Sequence, residues 1–119
     1  MAEAKTYEGG CHCGNVRYEV EADIQQVMAC NCSICQKRGS LLTGVPAASF
    51  RLTSGEDALT DYQFNNKVIH HLFCKTCGIS SFSRGTGPDG SEMAAINVRC
   101  LDGVDLDALT ITPFDGASL

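Results

Sequence analysis

The sequence predicts a mainly β protein, and three observations carry that expectation. Val16, Tyr18 and Val20 alternate with Arg17, Glu19 and Glu21, the period-2 pattern of a half-buried strand. Segments rich in β-branched and aromatic residues recur between clusters of Gly, Pro, Asn and Asp. No segment sustains an apolar period of about 3.6 residues, so long amphipathic helices are excluded.

Taken in order, the first strand begins just after Cys13 and Gly14. Gly9, Gly10 and Gly14 let the backbone turn tightly around Cys11 and Cys13 and bring amide N–H groups toward sulfur, and Gly78 does the same after Cys77. Further strands are expected at 26–29, 41–45, 61–64, 68–74, 79–84, 92–101 and 109–113. Residues 33–38 form a short helical turn that contains Cys35. In 92–101, Ala94, Ile96, Val98 and Cys100 make an apolar face opposite Asn97 and Arg99, which reads Cys100 as a buried core thiol. With no repeat, low-complexity tract or linker, residues 1–119 are read as a single zinc-binding domain.

Seven of the eight cysteines fall into three groups: Cys11 and Cys13; Cys30, Cys32 and Cys35; Cys74 and Cys77. No apolar run approaches the length of a membrane span or a signal-peptide core, so the expected address is the reducing cytoplasm. There metal ligation is favoured over disulfides, and a Cys-x-Cys pair is too close for an unstrained bridge within itself. The outer pairs supply the four sulfurs of a closed tetrahedral zinc site, a structural one. Zinc is preferred to iron for such a sulfur set.

The middle group can wrap one metal from three sides and leave a coordination position free. Three thiolates on Zn²⁺ leave a net charge of −1, and an exogenous thiol entering that position is deprotonated at neutral pH and becomes a nucleophile. This makes Cys30, Cys32 and Cys35 the candidate catalytic residues. Two alternatives stand beside that reading: a fourth protein ligand closes the site, or the metal is only a staple. Cys100, His70 and His71 are the candidates for a closing ligand; the two histidines must face opposite ways on a strand, so one of them can approach the open metal as ligand or proton carrier, or both are half-buried strand residues. His12, between two ligands, is read as exposed.

Arg17, Lys37, Arg38 and Lys75 each lie within four residues of a cysteine; they either offset thiolate charge or bind the carboxylates of a small anionic substrate, or else are solvated surface charge. Asn31 and Ser33 can donate hydrogen bonds to sulfur or to a ligand. The formal charge of −5, made more negative by thiolates, disfavours nucleic acid and anionic membranes as partners.

Gly9-Gly10-Cys11-His12-Cys13-Gly14-Asn15-Val16, Cys30-Asn31-Cys32-Ser33-Ile34-Cys35 and Phe73-Cys74-Lys75-Thr76-Cys77-Gly78 resemble, in order and spacing, the glutathione-dependent formaldehyde-activating enzyme family, which includes centromere protein V domains. The resemblance spans roughly residues 5 to 100. It implies a complex fold of several coiled antiparallel sheets around zinc, of the β-tent type. It also implies a structural zinc on Cys11, Cys13, Cys74 and Cys77 and a catalytic zinc on Cys30, Cys32 and Cys35.

The activity it implies is that of a carbon–sulfur lyase forming S-(hydroxymethyl)glutathione from glutathione and formaldehyde. The chain is shorter than the founding enzyme at both ends, and Gln36 stands where many relatives carry a basic residue. Both differences bear on which thiol and which aldehyde are used. The rival expectation is a non-enzymatic, zinc-stabilised binding module with both metals structural.

Overall fold

In the computed structural model, which describes residues 5–24, 26–63, 69–87 and 90–115, the described strands form two sheets. The smaller sheet has the order β1 (Lys5–Gly10), β2 (Arg17–Ala22), β5 (Phe50–Ser54). The larger contains β3 (Gln26–Cys30), β4 (Leu42–Pro46), β6 (Leu59–Tyr62), β7 (His70–Cys74), β8 (Phe82–Thr86), β9 (Glu92–Asn97) and β10 (Thr110–Phe114), in the order β10-β3-β4-β9-β8-β7-β6. A single helix among the described residues, α1 (Ser33–Arg38), leads out of β3. The chain is therefore mainly β with multiple sheets, as expected. The pairings are antiparallel except that of β10 with β3, which is parallel.

Alternation in β2 buries Tyr18 and Val20 to 1% exposure and turns Glu19 and Glu21 outward. Tyr18 meets Phe50 of β5 and Phe82 of β8, with ring centroids 5.2 and 5.6 Å away, and Phe50 and Phe82 lie 4.7 Å apart. This three-ring cluster joins the two sheets, and Ile96, Val16, Val27 and Val98 continue the core around it. The Tyr18 hydroxyl donates to the Ser81 carbonyl at 2.9 Å, so the one polar atom of the cluster is satisfied.

Several boundaries depart from expectation, each for a local reason. The strand expected from Ile79 starts at Phe82, because Gly78 N–H bonds the Cys74 carbonyl and Cys74 N–H bonds the Ile79 carbonyl, which commits those residues to a loop. The strand expected to run to Leu101 stops at Asn97, whose side chain accepts from Arg99 N–H and starts a 3-10 turn over Val98–Cys100. Cys100 is thus a half-buried thiol on that turn and not a member of the strand's core face; burial pushes it up to about 11. Val98, Ile96 and Ala94 do face the core. Strands β1 and β5 were not expected, since each borders β2 with one largely exposed face and carries little alternation. Phe64 and Val68, ends of two expected strands, lie outside the described residues.

The ring cluster predicts two distinct costs. Tyr18→Phe keeps the packing, and the Ser81 carbonyl retains a bond from Asn97 N–H, so unfolding free energy should fall by about 1 kcal/mol. Phe82→Ala removes the ring that spans the sheets and should cost about 3–5 kcal/mol. Urea denaturation of both variants checks the ratio; equal losses would refute the assignment of the cluster as the joint between sheets.

Candidate metal centres

Cys11 and Cys13 sit in the loop between β1 and β2, and Cys74 and Cys77 at the end of β7. The first loop closes through Cys11 N–H to the Val16 carbonyl at 3.0 Å, and Val16 N–H then points at Cys11 Sγ from 3.3 Å. The second closes through Gly78 N–H to the Cys74 carbonyl at 2.8 Å, with Thr76 N–H 3.4 Å from Cys74 Sγ. Gly14 and Gly78 take φ of 85° and 79°, the left-handed conformation each turn requires. Gly10 acts differently from expectation: it lies inside β1, and a Cβ there would stand 2.0 Å from the Val16 carbonyl oxygen, so it permits close approach and not a turn.

The four sulfurs lie within 4.8 Å of one another. Cys11 to Cys13 is 3.5 Å and Cys13 to Cys74 is 3.6 Å. A tetrahedron with Zn–S of about 2.3 Å has edges of ~3.8 Å, so the donor set and its spacing fit zinc. Charge argues the same way. Backbone hydrogen bonds at Cys13 and Ile79 hold the Cys77 thiol down at about 6, and amides at Cys77 and Thr76 lower Cys74. Cys13 is pulled down by the Asn15 amide, yet loss of solvation and protons shared with Cys11, Cys74 and Cys77 push it up to about 12. Four thiols in contact cannot all ionise alone; a dication removes that conflict.

Cys30, Cys32 and Cys35 also have their sulfurs within 4.8 Å of one another. Cys30 ends β3, Cys32 occupies the N-cap position of α1, and Cys35 follows inside the helix, which ends in a left-handed Gly39 bonded to the Cys35 carbonyl. Cys32 N–H faces Cys30 Sγ at 3.5 Å. Burial pushes the Cys32 thiol up, but the amides at Cys35 and Ile34 outweigh it and hold it below its ordinary value. Burial raises Cys35 to about 12, with contact from Cys32 adding to it and Arg38 opposing it. Three sulfurs brought together from one six-residue segment suit a soft dication.

Among the described residues no fourth Cys, His, Asp or Glu joins this group. Neither Cys100, His70 nor His71 closes it. His70 and His71 do face opposite ways: His70 Nδ1 meets Asp61 Oδ2 at 2.7 Å, whereas His71 is buried, and burial followed by the nearby Arg38 charge lowers its pKa. His12 is exposed as expected.

The tertiary structure adds a guanidinium to the middle group. Arg38, one helical turn beyond Cys35, donates from Nη1 to Ser80 Oγ at 2.8 Å and reaches Cys35 Sγ from Nη2 at 3.9 Å. Ser80 Oγ in turn donates to the Leu72 carbonyl at 2.8 Å, and the buried Arg38 Nε has no partner among the described residues. Arg38, His71 and Ser80 line a cavity of about 270 Å³ with Ile34, Tyr62 and Phe73. A neighbouring hollow of about 250 Å³ shares Ile34 and Tyr62 and adds Ser33 and Lys37.

Arg17 takes the bland role, pairing with Asp102 at 2.6 Å, and Lys75 is exposed. Asn31 donates to Asp115 Oδ1 at 3.0 Å. His71 and Arg38 were singled out by the sequence and do line this cavity, whereas Ser80 and Tyr62 were not; their approach comes from strand pairing and carries no local signal.

The chain matches the family model described as glutathione-dependent formaldehyde-activating enzyme over residues 6–112. It is also similar to the crystal structure of a Rhodobacter sphaeroides protein, a Northeast Structural Genomics target. Identity is 33%, the TM-score is 0.77, and the match covers 88% of this chain and 99% of that one.

The two clusters should fail differently. Cys74→Ser breaks a link between loops 61 residues apart and should leave the protein unfolded or insoluble. Cys32→Ser breaks a cluster confined to one short segment and should stay folded with one metal equivalent fewer. Elemental analysis and circular dichroism check both; a Cys74→Ser protein with full metal content and a wild-type midpoint would contradict the assignment.

Proposed function

The chain belongs to the glutathione-dependent formaldehyde-activating enzyme family, and from that membership we propose that it joins glutathione or a related small thiol to a small aldehyde, in the manner of a carbon–sulfur lyase. The observation that carries this reading is the three-cysteine group with no fourth ligand among the described residues, beside a cavity whose wall holds Arg38. Cys30, Cys32 and Cys35 would hold the zinc, which when bound would supply the positive charge that lets a small thiol ionise near neutral pH.

The remaining chemistry falls to this chain's own residues. Arg38, held by Ser80, presents a planar guanidinium to a substrate carboxylate, and its buried Nε is one donor still to be satisfied. Ile34 and Phe73 give the cavity apolar walls. In the reaction the thiolate sulfur bonds to the aldehyde carbon, the carbon–oxygen π pair moves onto oxygen, and the proton lost by the thiol returns to that oxygen. His71, in the same cavity and favoured as the neutral imidazole by burial, is the group we assign to relay that proton.

The working unit is the chain as one zinc-binding domain, in a reducing compartment such as the cytoplasm that keeps its thiols intact. No helix among the described residues is long and apolar enough to cross a membrane.

Cobalt in place of zinc tests the proposal. Glutathione should shift and intensify the thiolate charge-transfer bands, and formaldehyde should then reverse part of that change as the adduct forms. Arg38→Met should keep its metal and weaken the glutathione response by about tenfold or more. No response to any small thiol, in protein shown to hold metal at the middle cluster, would favour the zinc-stabilised binding module instead.

A further inference from the structure

A cavity of about 490 Å³ lies across the large sheet from α1 and the three-cysteine group. Strand register accounts for its lining. Asp61 pairs with Leu72 and Leu72 with Phe82, while His70 pairs with Arg84, Arg84 with Ala94, and Thr86 with Glu92. Because alternate residues share a face, Asp61, His70, Arg84 and Glu92 stand on the side that packs against β5, and His71 and Phe73 on the side of α1. One strand thus serves two separate cavities.

Two features of this second cavity point to a ligand. Arg84 lies over aromatic faces, its Cζ 5.6 Å from the Phe50 centroid and 5.3 Å from that of Phe82, and among the described residues it makes no ion pair. Stacking fixes the plane of the guanidinium and leaves its N–H fork for a carboxylate. The second feature is the Asp61–His70 contact at 2.7 Å. A carboxylate only accepts hydrogen bonds, so Nδ1 carries the proton, and in the neutral imidazole Nε2 is left as an acceptor. His70 and Arg84 are directly opposed across neighbouring strands, where Cβ atoms stand about 4.5–5.5 Å apart. An anion clamp and an oriented acceptor thus lie side by side above an apolar floor of Phe50, Leu72 and Ala94.

We infer that this cavity binds a small organic acid with an apolar body and a hydroxyl on the carbon next to its carboxylate. The carboxylate meets Arg84, the hydroxyl donates to His70 Nε2, and the apolar body covers Phe50 and Leu72. Asp61 orients the imidazole, and the negative charge of Glu92 at the rim disfavours a second acidic group on the ligand. The site uses no cysteine and is independent of the thiol chemistry proposed above.

The test is a titration of ¹⁵N-labelled, metal-loaded full chain with mandelate, which carries all three features, with phenylacetate, which lacks the hydroxyl, and with benzyl alcohol, which lacks the carboxylate. Affinity should fall in that order, by about tenfold or more between mandelate and benzyl alcohol, with shifts centred on Phe50, Arg84 and Ala94. Arg84→Met should lose mandelate binding by a similar factor, and His70→Ala should erase the preference for mandelate over phenylacetate, with metal content unchanged in both. Equal affinities for the three compounds, shifts centred on α1, or undiminished binding by Arg84→Met would overturn the inference. So would the absence of saturation by mandelate at ~10 mM.

Discussion

Four sulfur atoms from two loops, with Cys13 and Cys74 61 positions apart, meet within 4.8 Å, and much of the architecture depends on that meeting. Thiolates at such distances repel unless protons or a cation intervene, so the loops are compatible only when their charge is neutralised. Each loop prepares for this with amides aimed at sulfur, from Val16 to Cys11 and from Thr76 to Cys74. The first loop ends β1 and begins β2 of the small sheet, and the second ends β7 of the large one. Joining them anchors one end of the two-sheet packing; Tyr18, Phe50 and Phe82 anchor the interior.

Strand β7 distributes the chemistry of the molecule through simple alternation. Its even-numbered residues, His70, Leu72 and Cys74, share one face and run from the large cavity to the four-cysteine cluster. Its odd-numbered residues, His71 and Phe73, face α1 and line the cavity beside Arg38. A shift of register by one residue would exchange these sets and misplace Cys74 together with both histidines. The four-cysteine cluster therefore also guards the register on which the other sites rely.

The middle cluster rests on a different principle. Cys30, Cys32 and Cys35 need only the end of a strand and the first turn of a helix, and the amides of that turn lower the Cys32 thiol without help from distant residues. Such a locally built site can keep a coordination position accessible while the rest of the fold bears the mechanical load. The cavity next to this cluster is walled by Arg38, His71 and Ser80, which come from α1, β7 and the loop that follows β7.

The cysteine groupings, the mainly β class, strand β2 and the short helix around Cys35 were legible in the amino-acid order because each depends on spacing of a few residues: sulfur reach, side-chain alternation or one helical turn. The opposed faces of His70 and His71 followed from the same rule. Strands β1 and β5 were not legible, because their hydrogen bonds come from β2 and not from their own pattern. The end of β9 was hidden as well, since the Asn97 side chain competes for the backbone there and leaves Cys100 half-buried on a turn. Only the folded chain could decide that Arg38 meets Ser80, 42 residues away, or that Arg84 lies over two rings from different sheets. Local order determines which groups are available and which way they face; cross-strand pairing and sheet packing, which act between residues distant in sequence, decide which of them meet.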